Sequence, residues 1–144
     1  MCMQKMNEQI LSSWLMMIMA IDSERIASKL SYNEAIVCNL LYSNADIEMT
    51  ATDLCAITKM QKSLMNRTLT SLEMKGLIER TRSLLDKRSI IVRLIHDENS
   101  LFMIQHQETL NYIDKITAQL SEEEKRDVTR IFHLVANLAQ KENQ

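Results

Sequence analysis

Gly76 is the only glycine in this chain of 144 residues, and there is no proline. Glycine supplies the positive φ of tight turns and proline presets their geometry, so few of the residues that build β-rich folds are present. The 11 methionines add good helix formers. A mainly α-helical protein is predicted. Its length suits one domain, or a small domain with helical arms.

Local signals then place the helices. A first helix over roughly 5–28 spaces Leu11, Trp14, Leu15, Ile18, Ile21 and Ile26 near three and four residues apart, with Met16, Met17 and Met19 widening the stripe. So wide an apolar stripe calls for more than one partner surface. Ser31 with Glu34 forms a capping box that opens a second helix ending near Asn44, and Thr50 with Asp53 opens a short third one. A fourth runs from about Gln61 to Lys75 and stops at Gly76, where a left-handed residue is expected. Asp97 is the expected cap of a fifth helix reaching about Gln119, with Leu101, Ile104, Ile113 and Ile116 inward. Ser121 with Glu124 opens the last, which aligns Val128, Ile131, Val135, Leu138 and Ala139. Between Gly76 and Asp97 the period shortens. Ile78–Ser83 and Ser89–Leu94 are β-prone, and Leu84–Arg88 reads as the loop of a two-stranded hairpin.

Charge is distributed very unevenly over these elements. Thr58 to Leu94 holds nine Lys and Arg against Glu73, Glu79 and Asp86, a net +6, leaving −8 for the rest of a chain whose total is −2. Local rather than total charge decides whether a surface can neutralise phosphates, so an acidic pI of 5.9 does not exclude nucleic acid. On a helical wheel Met65, Leu69 and Leu72 fall together, while Lys59, Lys62, Ser63, Asn66, Arg67 and Thr70 gather opposite within ~140° and include no acid. Arg and Asn can bond guanine and adenine edges bidentately, and Lys and Ser can hold phosphates. At the hairpin tip, Lys87 and Arg88 are placed to reach an adjacent minor groove. Asp86 beside them either fixes the arginine or closes the turn. The central part therefore reads as a winged helix-turn-helix, flanked by long helices suited to pairing.

The run Lys62-Ser63, then Arg67, then Leu72-Glu73-Met74-Lys75-Gly76-Leu77-Ile78-Glu79-Arg80 and Asp86-Lys87-Arg88 resembles the MarR family of bacterial transcription regulators. Leu30-Ser31 and Asp53-Leu54-Cys55 are similar to that family's pattern too. The resemblance implies an N-terminal dimerisation helix (1–30), a winged DNA-binding domain (31–96) and C-terminal dimerisation helices (97–144), intertwined in a homodimer on a pseudo-palindromic site. Its half-sites would lie ~34 Å apart. It further implies that Lys62, Ser63, Asn66 and Arg67 face the major groove and Arg88 the minor groove, with Asp86 supporting the wing. Three features depart from the family pattern. Leu64 replaces a small polar residue, Leu84 and Leu85 place apolar surface on the wing, and Leu94-Ile95-His96-Asp97-Glu98 lacks a frequent Leu-Thr-x-x-Gly.

Such regulators commonly lose DNA affinity when a small aromatic or anionic effector enters between the dimer helices and the winged domain, or when a cysteine oxidises. Trp14, Met17 and Ile18 are the candidate effector-pocket residues, against the alternative that this methionine-rich stripe is dimer core. Cys2, Cys38 and Cys55 are odd in number and form no CxxC pair, which fits a reduced cytoplasmic protein. Cys38 and Cys55 are expected to be buried within helices, and no sequence neighbour signals a lowered pKa for redox sensing. His96, His106 and His133 lack metal-like spacing, and no cofactor is expected. Phosphate loops, nucleophile elbows and HExxH are absent, so an enzyme finds no support. The N-terminal apolar stretch is interrupted by Asn7, Glu8, Ser12 and Ser13 and does not read as a signal peptide. No apolar run reaches the ~18–20 residues of a membrane span. Two further readings remain: a winged helix whose basic face docks an acidic protein, and a cysteine-redox sensor of the same fold.

Overall fold

The structure, a computed structural model, describes residues 1–26 and 29–144. Along the chain follow α1 (Cys2–Ala20), α2 (Tyr32–Ser43), β1 (Met49–Thr50), α3 (Ala51–Thr58), α4 (Lys62–Met74), β2 (Ile78–Arg82), β3 (Ile90–Leu94), α5 (Leu101–Ile116) and α6 (Glu122–Glu142). All three expected capping boxes form: Ser31 with Glu34, Thr50 with Asp53, and Ser121 with Glu124 exchange side-chain-to-backbone bonds at the starts of α2, α3 and α6.

Gly76 ends α4 as its position implies. Its φ is +72°, its N–H donates to the Glu73 carbonyl at 3.0 Å, and the Leu77 N–H donates to the Leu72 carbonyl at 3.0 Å. This is a Schellman cap, sealed by the contact expected between two buried leucines, Leu72 and Leu77.

β2 and β3 pair antiparallel from Ile78↔Leu94 to Arg82↔Ile90, each strand within a residue of its predicted span. β1, which sequence reasoning missed, adds to the other edge of β3 through Met49↔Val92 and Thr50↔Ile91, giving the order β1-β3-β2. A two-residue strand has no periodicity of its own, so only its partner defines it.

The core lies inside the winged unit. Val37, Cys38, Leu54, Met65, Leu69, Leu72, Ile78 and Val92 are its largest fully buried side chains. Phe102 of α5 closes it, stacked on His106 at 5.1 Å and tilted against Tyr42 of α2 at 5.9 Å. Glu34 is buried as well, and its carboxylate accepts from Lys75 Nζ at 2.6 Å and Ser71 Oγ at 3.1 Å. Burial pushes its pKa up, but the Lys75 ammonium, the Ser31 N–H and the Ser71 hydroxyl outweigh burial and hold it below the ordinary range. One capping residue thus ties the start of α2 to the end of α4.

The structure corrects several expectations. α1 stops at Ala20 rather than near residue 28, and Ile21 is extended with ψ 125°. Asp22 then caps a 3-10 turn over Ser23–Arg25, its N–H donating to the Tyr112 hydroxyl at 2.9 Å. The last two residues of the predicted helix, Ala27 and Ser28, lie outside the described residues. α5 is capped by Ser100, whose Oγ accepts from the Met103 N–H at 3.1 Å, while Asp97 only turns the preceding loop by accepting from Asn99 N–H at 2.9 Å. The helix ends at Ile116, three residues short of Gln119, and buries Phe102, Gln105 and Tyr112, leaving Ile104, Ile113 and Ile116 exposed.

Neither α1 nor α6 has a buried residue, although Ile10, Trp14, Leu15, Ile18, Ile131, Phe132 and Leu138 are large apolar side chains on them. Among the described residues no helix is long and apolar enough to cross a membrane.

Candidate nucleic-acid interface

α4 buries Met65, Thr68, Leu69 and Leu72, and that stripe fixes which side faces outward. On the outer side Lys62, Ser63, Asn66, Arg67 and Thr70 are all exposed, as is Lys59 in the preceding turn. Leu64 is half-buried at the margin, where the helical wheel puts it. Among the described residues Lys59 is the one non-glycine with positive φ, +61°. It ends α3 by donating its N–H to the Cys55 carbonyl at 2.9 Å, which lets α4 start three residues later. The N-cap of α4, Gln61, makes no side-chain cap bond, and the first turn holds no acid. The helix's first N–H groups and the positive end of its dipole therefore face outward beside Lys62.

Ion pairing sorts the nine cations of the basic stretch. Lys75 is bound to Glu34 at 2.6 Å, Arg80 to Glu73 at 3.1 Å and Arg93 to Glu48 at 2.7 Å. Lys59, Lys62, Arg67, Arg82, Lys87 and Arg88 make no ion pair among the described residues. The paired three brace the unit, and the free six lie along α3–α4 and the wing.

Arg80, which closes the motif that carries the family resemblance but had no role assigned from sequence, joins these two regions. Its guanidinium spans from Glu73, at 3.1 and 3.4 Å, to the Thr70 hydroxyl at 3.3 Å, tying β2 to the outer side of α4. The Arg80 bond lowers the Glu73 pKa. A Glu and an Arg seven residues apart, straddling a helix stop, give no local signal of contact.

The wing tip is a closed turn. Asp86 Oδ1 accepts from the Arg88 N–H at 3.0 Å and Oδ2 from the Ser89 hydroxyl at 3.1 Å. Of the two uses left open for Asp86, the geometry shows turn closure rather than an ion pair with Arg88. Arg82 donates to the Lys87 carbonyl at 3.3 Å, and Ser83 Oγ accepts from the N–H groups of Leu85 and Asp86 at 3.2 and 3.3 Å. Arg82 and Ser83 were likewise missed, although a serine two residues before a turn amide is a recognisable turn signal. Lys87 and Arg88 are left exposed.

The candidate effector residues divide. Trp14 and Met17 line an apolar groove of about 630 Å³ between α1 and α6, facing Ile131, Phe132 and Val135; Ile18 does not line it. Cys38 is fully buried, Cys55 half-buried and Cys2 exposed. Burial, then the nearby Glu34 charge, pushes the Cys38 thiol up to about 12, the opposite of an activated thiolate.

Glu73 also lies on the outer side of α4, against the expectation of a face without acid, and its charge is taken up by Arg80. A helix whose outer side otherwise carries Lys62, Ser63, Asn66 and Arg67, seated on a three-stranded sheet whose hairpin projects cations, defines a winged helix-turn-helix of the kind that docks on nucleic acid. Residues 28–89 match the model of the MarR family. Solved structures share the fold along most of the chain. MepR of S. aureus in its DNA-binding conformation is 19% identical with a TM-score of 0.71, covering 89% of this chain and 98% of that one. PcaV of Streptomyces coelicolor in complex with its natural ligand is 17% identical, TM-score 0.64, covering 81% and 82%. PefR of Streptococcus agalactiae, a heme sensor in complex with heme, is 22% identical, TM-score 0.55, covering 91% and 90%. No curated protein matches the chain. The fold is that of MarR-family transcription regulators.

Proposed function

We propose that this chain is a non-enzymatic, cytoplasmic transcription regulator that binds a pseudo-palindromic operator as a homodimer, acts as a repressor and is released by a small-molecule effector. The observation that carries the reading is the segregation of cations: six without acidic partners lie on α3–α4 and the wing, while three are paired with Glu34, Glu73 and Glu48. Unpaired cations retain their full charge for phosphates. In this reading Lys59, Lys62, Ser63, Asn66, Arg67 and Thr70 meet the major groove and its flanking phosphates. Lys87 and Arg88 meet the minor groove, on a turn that Asp86 keeps closed.

Dimerisation through residues 1–30 and 97–144 is supported by α1 and α6, which bury nothing in a single chain yet carry apolar faces. An unpartnered face of that extent is characteristic of an obligate interface. The winged domain occupies 31–96. The groove at Trp14 and Met17 suits a small aromatic or anionic effector, in keeping with the ligand-bound state of PcaV and the heme-bound state of PefR.

The test is fluorescence anisotropy with a duplex from upstream of the protein's own gene and a scrambled duplex, across a salt titration. Preference of ~10³-fold or more, with log K falling linearly against log salt, is the expected result. Asn66→Ala is expected to relax sequence preference, whereas Lys62→Ala weakens all duplexes alike and reduces the salt slope by about one. No binding at low salt refutes the assignment and moves the basic face to an acidic protein partner.

A further inference from the structure

Leu84 and Leu85 are 98% and 100% exposed, at the tip of the wing. The turn that bears them is internally bonded throughout. The Ser83 N–H donates to the Ser89 carbonyl at 2.9 Å and the Ser89 N–H to the Asp86 carbonyl at 2.9 Å. Ser83 Oγ caps the Leu85 and Asp86 amides, and both Asp86 carboxylate oxygens accept bonds from Arg88 and Ser89. These bonds fix the backbone and hold the two leucines away from the protein's own core. Their neighbours in the stretch 80–88 are the cations Arg80, Arg82, Lys87 and Arg88, and the one acid, Asp86, spends its carboxylate inside the turn.

A complementary surface is apolar at its centre and anionic at its rim. A duplex seen from the minor groove has this character, with stacked base faces between two phosphate chains. An anionic lipid surface shares it in part, but the wing is fastened to the candidate DNA-reading helix: Arg80, at the middle of β2, bonds Thr70 and Glu73 of α4. Whatever α4 docks on, the leucine tip meets its flank.

We infer that Leu84 and Leu85 form a wedge that enters the minor groove beside the segment contacted by α4 and opens one base step there. The inference rests on the DNA-binding reading above. Opening is least costly at pyrimidine–purine steps, so the wing selects TA or CA/TG at a place where it makes no hydrogen bond to a base edge.

The test selects duplexes from a randomised pool with the wild-type chain, then places 2-aminopurine at successive steps of the enriched sequence. Expected are a fluorescence rise at one step on each flank, an end-to-end FRET change equivalent to a kink of ~20° or more, and enrichment of flexible steps at those positions. Leu84→Ser/Leu85→Ser is expected to abolish the rise and the step preference and to weaken binding about tenfold, the size of one lost base-pair contact. Its salt slope stays the same, because no phosphate contact is removed. Leu84→Met/Leu85→Met, apolar and similar in volume, retains the wild-type behaviour. Enriched duplexes with silent 2-aminopurine, bound equally by wild type and the serine variant, overturn the wedge and leave DNA binding standing. A pool with no enrichment refutes DNA binding and the wedge together. Leucine-dependent sedimentation with phosphatidylcholine–phosphatidylserine vesicles, with DNA binding unchanged in the serine variant, assigns the tip to a membrane and also overturns the wedge.

Discussion

Replacing Gln105 by alanine removes the joint that holds the α1–α2 connection onto α5. Gln105 is 3% exposed, and its amide oxygen accepts from the Lys29 N–H at 2.8 Å and the Leu30 N–H at 3.1 Å, while Nε2 donates to the Ile26 carbonyl at 3.1 Å. Truncation leaves the Lys29 and Leu30 amides without this partner, while the Ile26 carbonyl keeps the Thr109 hydroxyl at 3.2 Å; each polar group left unsatisfied in the interior costs ~1–3 kcal/mol. The Leu30 bond is buried and the other two are partly wet, so water offsets some of that loss and ~2–4 kcal/mol remains. Against a typical stability of ~5–15 kcal/mol this is a large fraction. A chain of this size is expected to lose roughly 6–12 °C in Tm. Urea denaturation and thermal melts at fixed protein concentration measure it, the concentration being held because association contributes to stability. Gln105→Glu is expected to be no rescue, since it keeps an acceptor for the amides but turns a carboxylate toward the Ile26 carbonyl. A loss below ~0.5 kcal/mol for Gln105→Ala, within the range of an ordinary surface substitution, would refute the reasoning.

Three further outcomes follow from the same geometry. Glu34→Gln is expected to cost about 1–3 kcal/mol, toward the lower end because Lys75 is partly exposed. Since the folded pKa of Glu34 is lowered, its contribution is complete above the ordinary carboxylate range and is lost as pH falls through the folded value. The stability gap between wild type and variant, followed by urea titration from pH 7 to pH 3, is expected to close on acidification; a constant gap contradicts the ion pair. Gly76→Ala meets no heavy atom within 4 Å of the new Cβ, so its expected cost of ~1–2 kcal/mol comes from the φ of +72° alone. Gly76→Asn costs less by the same denaturation assay, and equal losses would point to packing instead. In the folded protein at pH 8, iodoacetamide is expected to label exposed Cys2 while sparing buried Cys38, read by mass spectrometry of peptides. Labelling of Cys38 as fast as in urea would refute its burial.

How much was legible in the sequence depended on the range of the interaction. The capping boxes of Ser31, Thr50 and Ser121 link residues three apart, so their signal lies in a four-residue window. The stop at Gly76 and the hairpin after it are equally local. The polar side of α4 followed from helical geometry once Met65, Leu69 and Leu72 were taken as its inner side, and all six residues expected on the outer side are exposed.

Contacts between distant segments decided the rest. The Asp22 N–H bonds Tyr112, 90 residues away, and Gln105 holds backbone some 75 residues upstream. No window around Ala20 could show that α1 stops there. β1 exists because β3 offers it an edge, and α5 turns Phe102 rather than Ile104 inward because Tyr42 and the core are already in place. The sequence by itself determined the order of the helices, the capping boxes of α2, α3 and α6, the wing and the basic stretch, because propensity, capping and periodicity act over a few residues. Only the tertiary structure decided which three basic residues brace the domain and which six stay free, because an ion pair such as Arg93 with Glu48 depends on two side chains meeting in space.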